Sequence, residues 1–312
     1  MDGPAPFSFA GETPARGRER WRCPVDFSVC FYLGSSSLLL LVYDRTFLAL
    51  FHLAAIVGLM RLRALALKSS AAPALRLVHA WHAPASLLAI NQEIGYMNRL
   101  VWEGRYFDDL VMGWEQALFG TSPAVWLSEA AGWYWFSEYL HLCYMLWWIF
   151  IPALGLPLYL TGRRREFETF LAACVNALFL CYLCQTFFPV EGPRELFPPL
   201  DERLRGPMWA LCHWIMERGA AVGTAFPSGH VTLSLVMLAC AWRWQRRAYW
   251  LLLPIATGTI LATVYCRFHY AVDGLAGLWA AAVAYGWLGP VLLERLRDSA
   301  KSSSDSTSTW RV

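Results

Sequence analysis

Long apolar runs, separated by short polar or basic breaks, dominate the chain from residue 25 onward. A helix that crosses a bilayer needs about 20 such residues. The pattern predicts spanning helices over 25–43, 46–66, 134–160, 167–188, 229–244, 249–267 and 270–292. The polar pair Asp44 and Arg45 makes the first two a tight hairpin. Residues 76–98 are less regular, because His79, His82, Asn91 and Glu93 are each costly in lipid. Basic residues cluster at 16–22, 61–76, 163–165, 243–247 and 295–301. Such clusters stay on the cytoplasmic side. If all of them lie there, the chain must cross once between 76 and 134, so that 76–98 spans and eight helices cross in total. If 76–98 instead lies on the surface, six or seven cross.

Residues 104–131 are amphipathic and interrupted by Gly and Pro, which predicts interfacial helices on the non-cytoplasmic side. The same parity puts the Pro-rich loop 189–207, the stretch FPSGH at 226–230 and the turn between the last two helices on that side. The expected organisation is a cytoplasmic tail over 1–24, a hairpin with a basic loop over 25–75, a membrane-embedded core over 76–293, and a polar, low-complexity, disordered tail over 294–312.

Composition agrees with this class. The 312 residues are 57% hydrophobic and only 16% charged, where soluble domains carry about 25% charged residues. The 17 Trp and 13 Tyr suit membrane interfaces. The net charge of +3 comes from short clusters between apolar runs, which marks topology rather than a nucleic-acid partner. The nine cysteines are scattered; the pair Cys181 and Cys184 lacks a second pair at zinc spacing and reads as helix packing. No signal peptide is expected, since the first 24 residues hold no apolar core stretch.

The predicted topology gathers chemistry at one membrane face. His230 opens the run 229–244, and the chain returns to the same face at VYCRFHYAVDGLAG, residues 264–277. His269 and Asp273 are i,i+4 and so share a helix face. A carboxylate there can take a hydrogen bond from one ring nitrogen and leave the other basic. Arg194 stands just past the end of 167–188, and Arg267 two residues before His269. Guanidinium forks hold phosphate oxygens bidentately. Ser228 and Gly229 add a hydroxyl, close backbone approach and helix N-terminal N–H groups, which attract anions. The set predicts a phosphate site in which His269 attacks phosphorus, Asp273 orients it, and His230 serves as acid and base. No cofactor is expected, and the nearby carboxylates are too dispersed for a magnesium cage. The alternative from another class is a lipid transporter with an accidental histidine pair.

At Pro227, Ser228, Gly229 and His230, and at His269 with Asp273, the sequence resembles the type 2 phosphatidic acid phosphatase superfamily, over roughly residues 90–290. The resemblance implies an all-α polytopic bundle with a six-helix core behind the N-terminal hairpin. It also implies a lipid phosphate or phospholipid substrate and the same roles for His269, Asp273 and His230. Two departures stand out. The serine and arginine that usually precede the third-motif histidine are Ala262 and Thr263 here, and the first motif is reduced to EGPR at 191–194. Both look like the branch that holds inositol phosphorylceramide synthase, a sphingolipid enzyme, and its bacterial relatives. That branch implies transfer of a phospho-headgroup to a second lipid in place of hydrolysis.

Other polar residues admit two readings. Glu138 and His141, i,i+3 within 134–160, are either functional or a helix–helix contact. The stretch YLHLCYMLWW at 139–148 either lines a lipid groove or simply packs. Asp108, Asp109 and Glu115 either bind an acceptor headgroup or face solvent. His213 reads as structural.

Overall fold

A computed structural model describes residues 24–288. The expected tails, apart from Pro24, and the last residues of the final span lie outside the described residues. Among the described residues the chain is helical, and the only bridge of strand type is the isolated pair Val190 and Thr224.

The hairpin is α1 (Pro24–Val42) and α2 (Thr46–Ala66), joined at Asp44, whose φ is +56°. The weak segment 76–98 is the middle of a single long helix, α3 (Pro73–Trp102). Its 30 residues reach about 45 Å at 1.5 Å per residue, longer than the hydrocarbon core. Pro73 starts it at N1, and Glu103 in the left-handed conformation ends it. Three of its costly polar groups, His79, His82 and Glu93, are turned to protein. His79 and His82 meet the fully buried Asp26 of α1 at 3.1 and 3.5 Å, where Arg63 of α2 also lies 3.5 Å away. Glu93 meets His52 at 3.0 Å and the Tyr32 hydroxyl at 3.2 Å. These polar contacts fasten the hairpin to the bundle.

The segment expected to lie at the interface forms α4 (Asp108–Phe119) and α5 (Pro123–Ala130). The span expected as one helix over 134–160 is broken into α6 (Tyr134–Leu146), a 3-10 turn (Trp147–Ile149) and α7 (Phe150–Leu160). Pro152 explains the break. It has no N–H for the Trp148 carbonyl, and its ring crowds that oxygen. Then come α8 (Arg164–Phe187), α9 (Pro193–Leu196), α10 (Pro207–Gly219), α11 (Gly229–Trp244), α12 (Arg246–Tyr265) and α13 (Ala271–Val283), which runs on into a π-helical turn (Ala284–Leu288).

Among the described residues five helical rods are long and apolar enough to cross a membrane: α1, α2, α6 with α7, α8 and α12. This is a multi-pass membrane protein. α3 is too polar to count by that measure, and α11, at 16 residues, is too short. α8 is the axis of the bundle. It is 61% buried against 17% for α2, and its Phe167, Phe170, Cys174 and Leu178 pack against α3, α7 and α11.

Helices α11 and α13 meet at close range. The Ser228 N–H donates to the Asp273 carbonyl at 3.0 Å, and Thr232 Oγ1 donates to the Gly277 carbonyl at 3.0 Å. A Cβ at Gly277 would sit 2.7 Å from the Ser228 carbonyl oxygen, so only glycine allows this approach. Gly277→Ala should force the helices apart and cost about 1–3 kcal/mol. The check is a lowered thermal midpoint of the purified protein in detergent.

Candidate active site

α11 and α13 both begin at the end of the bundle where α3 and α8 finish. Ser228 caps α11, its Oγ accepting from the Val231 N–H at 3.4 Å. His230 therefore sits in the first turn of α11. His269 lies in the turn between α12 and α13. That turn folds back because Arg267 takes a φ of +61°, and the N–H groups of Phe268 and His269 both donate to the Thr263 carbonyl, at 3.1 and 2.8 Å. The two imidazoles come together with ring centroids 5.6 Å apart, at 61°.

The tautomer of His269 is set mainly by backbone. Its Nδ1 donates to the Ala225 carbonyl at 2.9 Å, while Asp273 Oδ2 stands at 3.5 Å. Both neighbours only accept, so Nδ1 carries the proton and Nε2 keeps its lone pair. The expected hydrogen bond to Asp273 is thus a longer charge contact. The carboxylate's own bond is from the Tyr270 N–H at 2.8 Å, which caps α13. Asp273 is fully buried.

His230 is bracketed by aromatic rings from the break between α6 and α7. Tyr144 stacks on it at 4.2 Å and Trp147 lies at 4.4 Å. So the aromatic stretch at 139–148 touches the candidate acid/base.

The two arginines part company. Arg194, on α9, pairs through Nε and one terminal nitrogen with Glu195, at 2.8 and 2.7 Å, and leaves its other terminal nitrogen buried and unpartnered. Gly192 brings this loop in: its φ is +96°, and a Cβ there would meet the Phe268 carbonyl at 2.7 Å. Arg267 is turned elsewhere. One terminal nitrogen donates to the Pro198 carbonyl and the other to Ser128 Oγ at 2.9 Å, leaving Nε unpartnered. The left-handed turn that aims His269 inward sends Arg267 to α5 and the Pro-rich loop. Ser228 is fully buried, and its hydroxyl serves the helix cap; Gly229 is half-buried beside Leu178.

Sequence reasoning missed the residues that hold the frame. Asp108 is buried and accepts from the N–H groups of Glu191 and Gly192, both at 2.9 Å, and from the Tyr270 hydroxyl at 3.0 Å. Glu115, also buried, accepts from the Ala271 N–H at the start of α13. Neither faces solvent or an open headgroup site; only Asp109 is exposed. Gln185 of α8 donates to the carbonyls of Thr224 and Pro227, both at 3.0 Å, and so fixes the segment that carries Ala225. Glu138 accepts from the N–H groups of Met208 and Trp209 at 2.9 and 3.1 Å, so it caps α10. Cys181 is buried against Thr232, in keeping with packing. Among the described residues no group of three or more His, Cys, Asp or Glu is arranged to hold a metal ion.

A family model described as the PAP2 superfamily matches residues 109–287, more than half of the chain. The protein belongs to the PAP2 superfamily, a class of helical membrane proteins that are generally phosphoric ester hydrolases. Searches of curated proteins and of solved structures gave no significant match.

Burial raises the Glu115 carboxyl above its ordinary 4.5, against the lowering effect of the Ala271 N–H. A raised folded value means the folded state holds the proton more tightly than the unfolded state. The stability this contributes is complete below 4.5 and is lost as pH rises through the raised value. Glu115→Gln, neutral throughout, should flatten that part of the pH dependence. Thermal midpoints of both proteins from acid to neutral pH check it.

Proposed function

We propose that this chain is an integral membrane lipid phosphatase that cleaves a lipid phosphoester through a phosphohistidine on His269. The observation that carries the reading is the free Nε2 of His269 beside the His230 ring, with Nδ1 already committed to a carbonyl. Nε2 attacks phosphorus, the bond to the leaving oxygen breaks, and His230 gives that oxygen a proton. A water then loses its proton to His230 and attacks phosphorus, and the N–P bond breaks. The free nitrogen of Arg194 and the N–H groups at the start of α11 meet the charge on the phosphoryl oxygens. Arg267, engaged by Pro198 and Ser128, is left out of that role. The reaction needs no divalent metal, and the site opens on the non-cytoplasmic face.

Transfer to the hydroxyl of a second lipid, as in the inositol phosphorylceramide synthase branch, uses the same steps. The rings of Tyr144 and Trp147 against His230 limit water there and support this second reading.

His269→Ala should lower turnover by at least about 10³-fold. Labelled phosphatidic acid, quenched without acid, should leave label on wild-type His269 and none on the variant. Turnover in wild type without any trapped label would sink the mechanism. Activity should also persist in strong chelator; its loss would point to a metal-dependent hydrolase.

A further inference from the structure

At the end of the bundle away from the histidine pair, α11 gives way to α12 beside a cavity that the proposed chemistry does not use. α11 runs 16 residues from Gly229 to Trp244, about 24 Å at 1.5 Å per residue, so His230 and this turn stand at opposite ends of one helix. Leu238, Ala239 and Trp242 of α11 and Tyr249 of α12 line an open cavity of about 340 Å³. That volume lies within the range of small-molecule and cofactor sites. The walls are aliphatic and aromatic, and the Trp242 and Tyr249 rings meet at 4.9 Å and 66°.

A cation is fixed on the wall of this cavity. The guanidinium of Arg246 lies over the Trp242 ring, with Cζ 3.3 Å from the centroid. Stacking engages the flat face of a guanidinium and leaves its N–H groups, which lie in the plane, open to an acceptor. Arg243 and Arg247 are exposed at the same turn. Arg163 ties the neighbouring turn to this one by donating to the Trp244 carbonyl at 3.0 Å, and it takes Glu166 for itself at 3.1 Å. Among the described residues none of Arg243, Arg246 and Arg247 pairs with a carboxylate.

Cavity and cation choose the ligand together. A soluble anion would match the arginines and leave the apolar walls bare. A neutral lipid would match the walls and leave the guanidinium without a partner. A zwitterionic lipid would bring an ammonium to a turn that already carries three cations. A phospholipid of net negative charge satisfies both parts, its chain against Trp242 and Tyr249 and its phosphate oxygens accepting from Arg246. Basic turns of this kind stay on the cytoplasmic side, whose leaflet holds the anionic lipids. We infer that the turn between α11 and α12 is a binding site for an anionic phospholipid, with an acyl chain in the cavity walled by Trp242 and Tyr249 and the phosphate on Arg246. The site is separate from the proposed phosphoryl site and does not depend on the chemistry of His269.

Native mass spectrometry tests this. The purified full chain is titrated in detergent with dioleoyl phosphatidylglycerol or dioleoyl phosphatidylcholine, and the lipids retained on release are counted. Phosphatidylglycerol should add a tightly held lipid that phosphatidylcholine does not. Arg246→Gln, which keeps a long polar side chain without the charge, should weaken its retention about fivefold, as expected for one cation at a membrane surface. Ala239→Phe, which fills the cavity and keeps the arginines, should weaken it too. A lipid held at the phosphoryl site is common to wild type and variants, so the difference between them reads this site. Equal retention of the two lipids by wild type overturns the proposal, and so does phosphatidylglycerol retention unchanged in both variants. Displacement by glycerol 3-phosphate as effective as by phosphatidylglycerol itself would assign a soluble anion and overturn the lipid. Arg246 is exposed, so its variant carries the test should Ala239→Phe give no monodisperse protein. Retention is read without turnover, so a failure to trap phosphohistidine would count against the proposed function and leave this result standing.

Discussion

The hydrogen bond from the Ser228 N–H to the Asp273 carbonyl, 3.0 Å long, is the contact on which the site depends. It joins the cap of α11 to the first turn of α13. His230 lies in the first turn of α11, and His269 lies in the turn just before α13, each within a few residues of that bond. Backbone bonded to backbone cannot drift as long side chains do, so the separation of the rings follows from the closeness of two main chains. Gly277 and Thr232 extend the same seam one turn deeper.

Buried carboxylates do the remaining anchoring. Asp108 ties the EGPR loop to Tyr270, and Glu115 holds the start of α13. Glu138 does the same for α10. Each accepts N–H groups at the mouth of a helix or tight loop, where unmatched donors and the helix dipole favour negative charge. Buried backbone donors need such partners wherever protein excludes water from them. Acidic residues near a proposed phosphate site are thus spent on N–H groups and add little repulsion toward the substrate.

What the sequence made legible was local or periodic. The hairpin turn at Asp44, the apolar rods, the short helices α4 and α5, and the closeness of His269 to Asp273 all rest on near neighbours. PSGH was readable because a helix cap is a local event. The break at Trp147 hid inside an apolar run, although Pro152 signalled it. Asp108, Glu115 and Gln185 were opaque because their partners are distant in sequence and are backbone groups, which leave no mark on composition. Arg267 was misleading for the opposite reason. Closeness in sequence placed it in the site, but its own positive φ turns its side chain toward Pro198 and Ser128.

The proton on His269 points at a main-chain oxygen, and this has a consequence for how the site tolerates change. In a histidine–aspartate pair held only by side chains, replacing the acid with an amide offers a donor, and the imidazole can settle in the wrong tautomer. A carbonyl never offers a donor. That oxygen belongs to the main chain at the buried Ala225, so its identity does not depend on the side chain there. The nitrogen left unprotonated is therefore specified by the path of the chain, and substitution at Asp273 alters the charge behind the ring while the orientation rests on a group that no codon encodes.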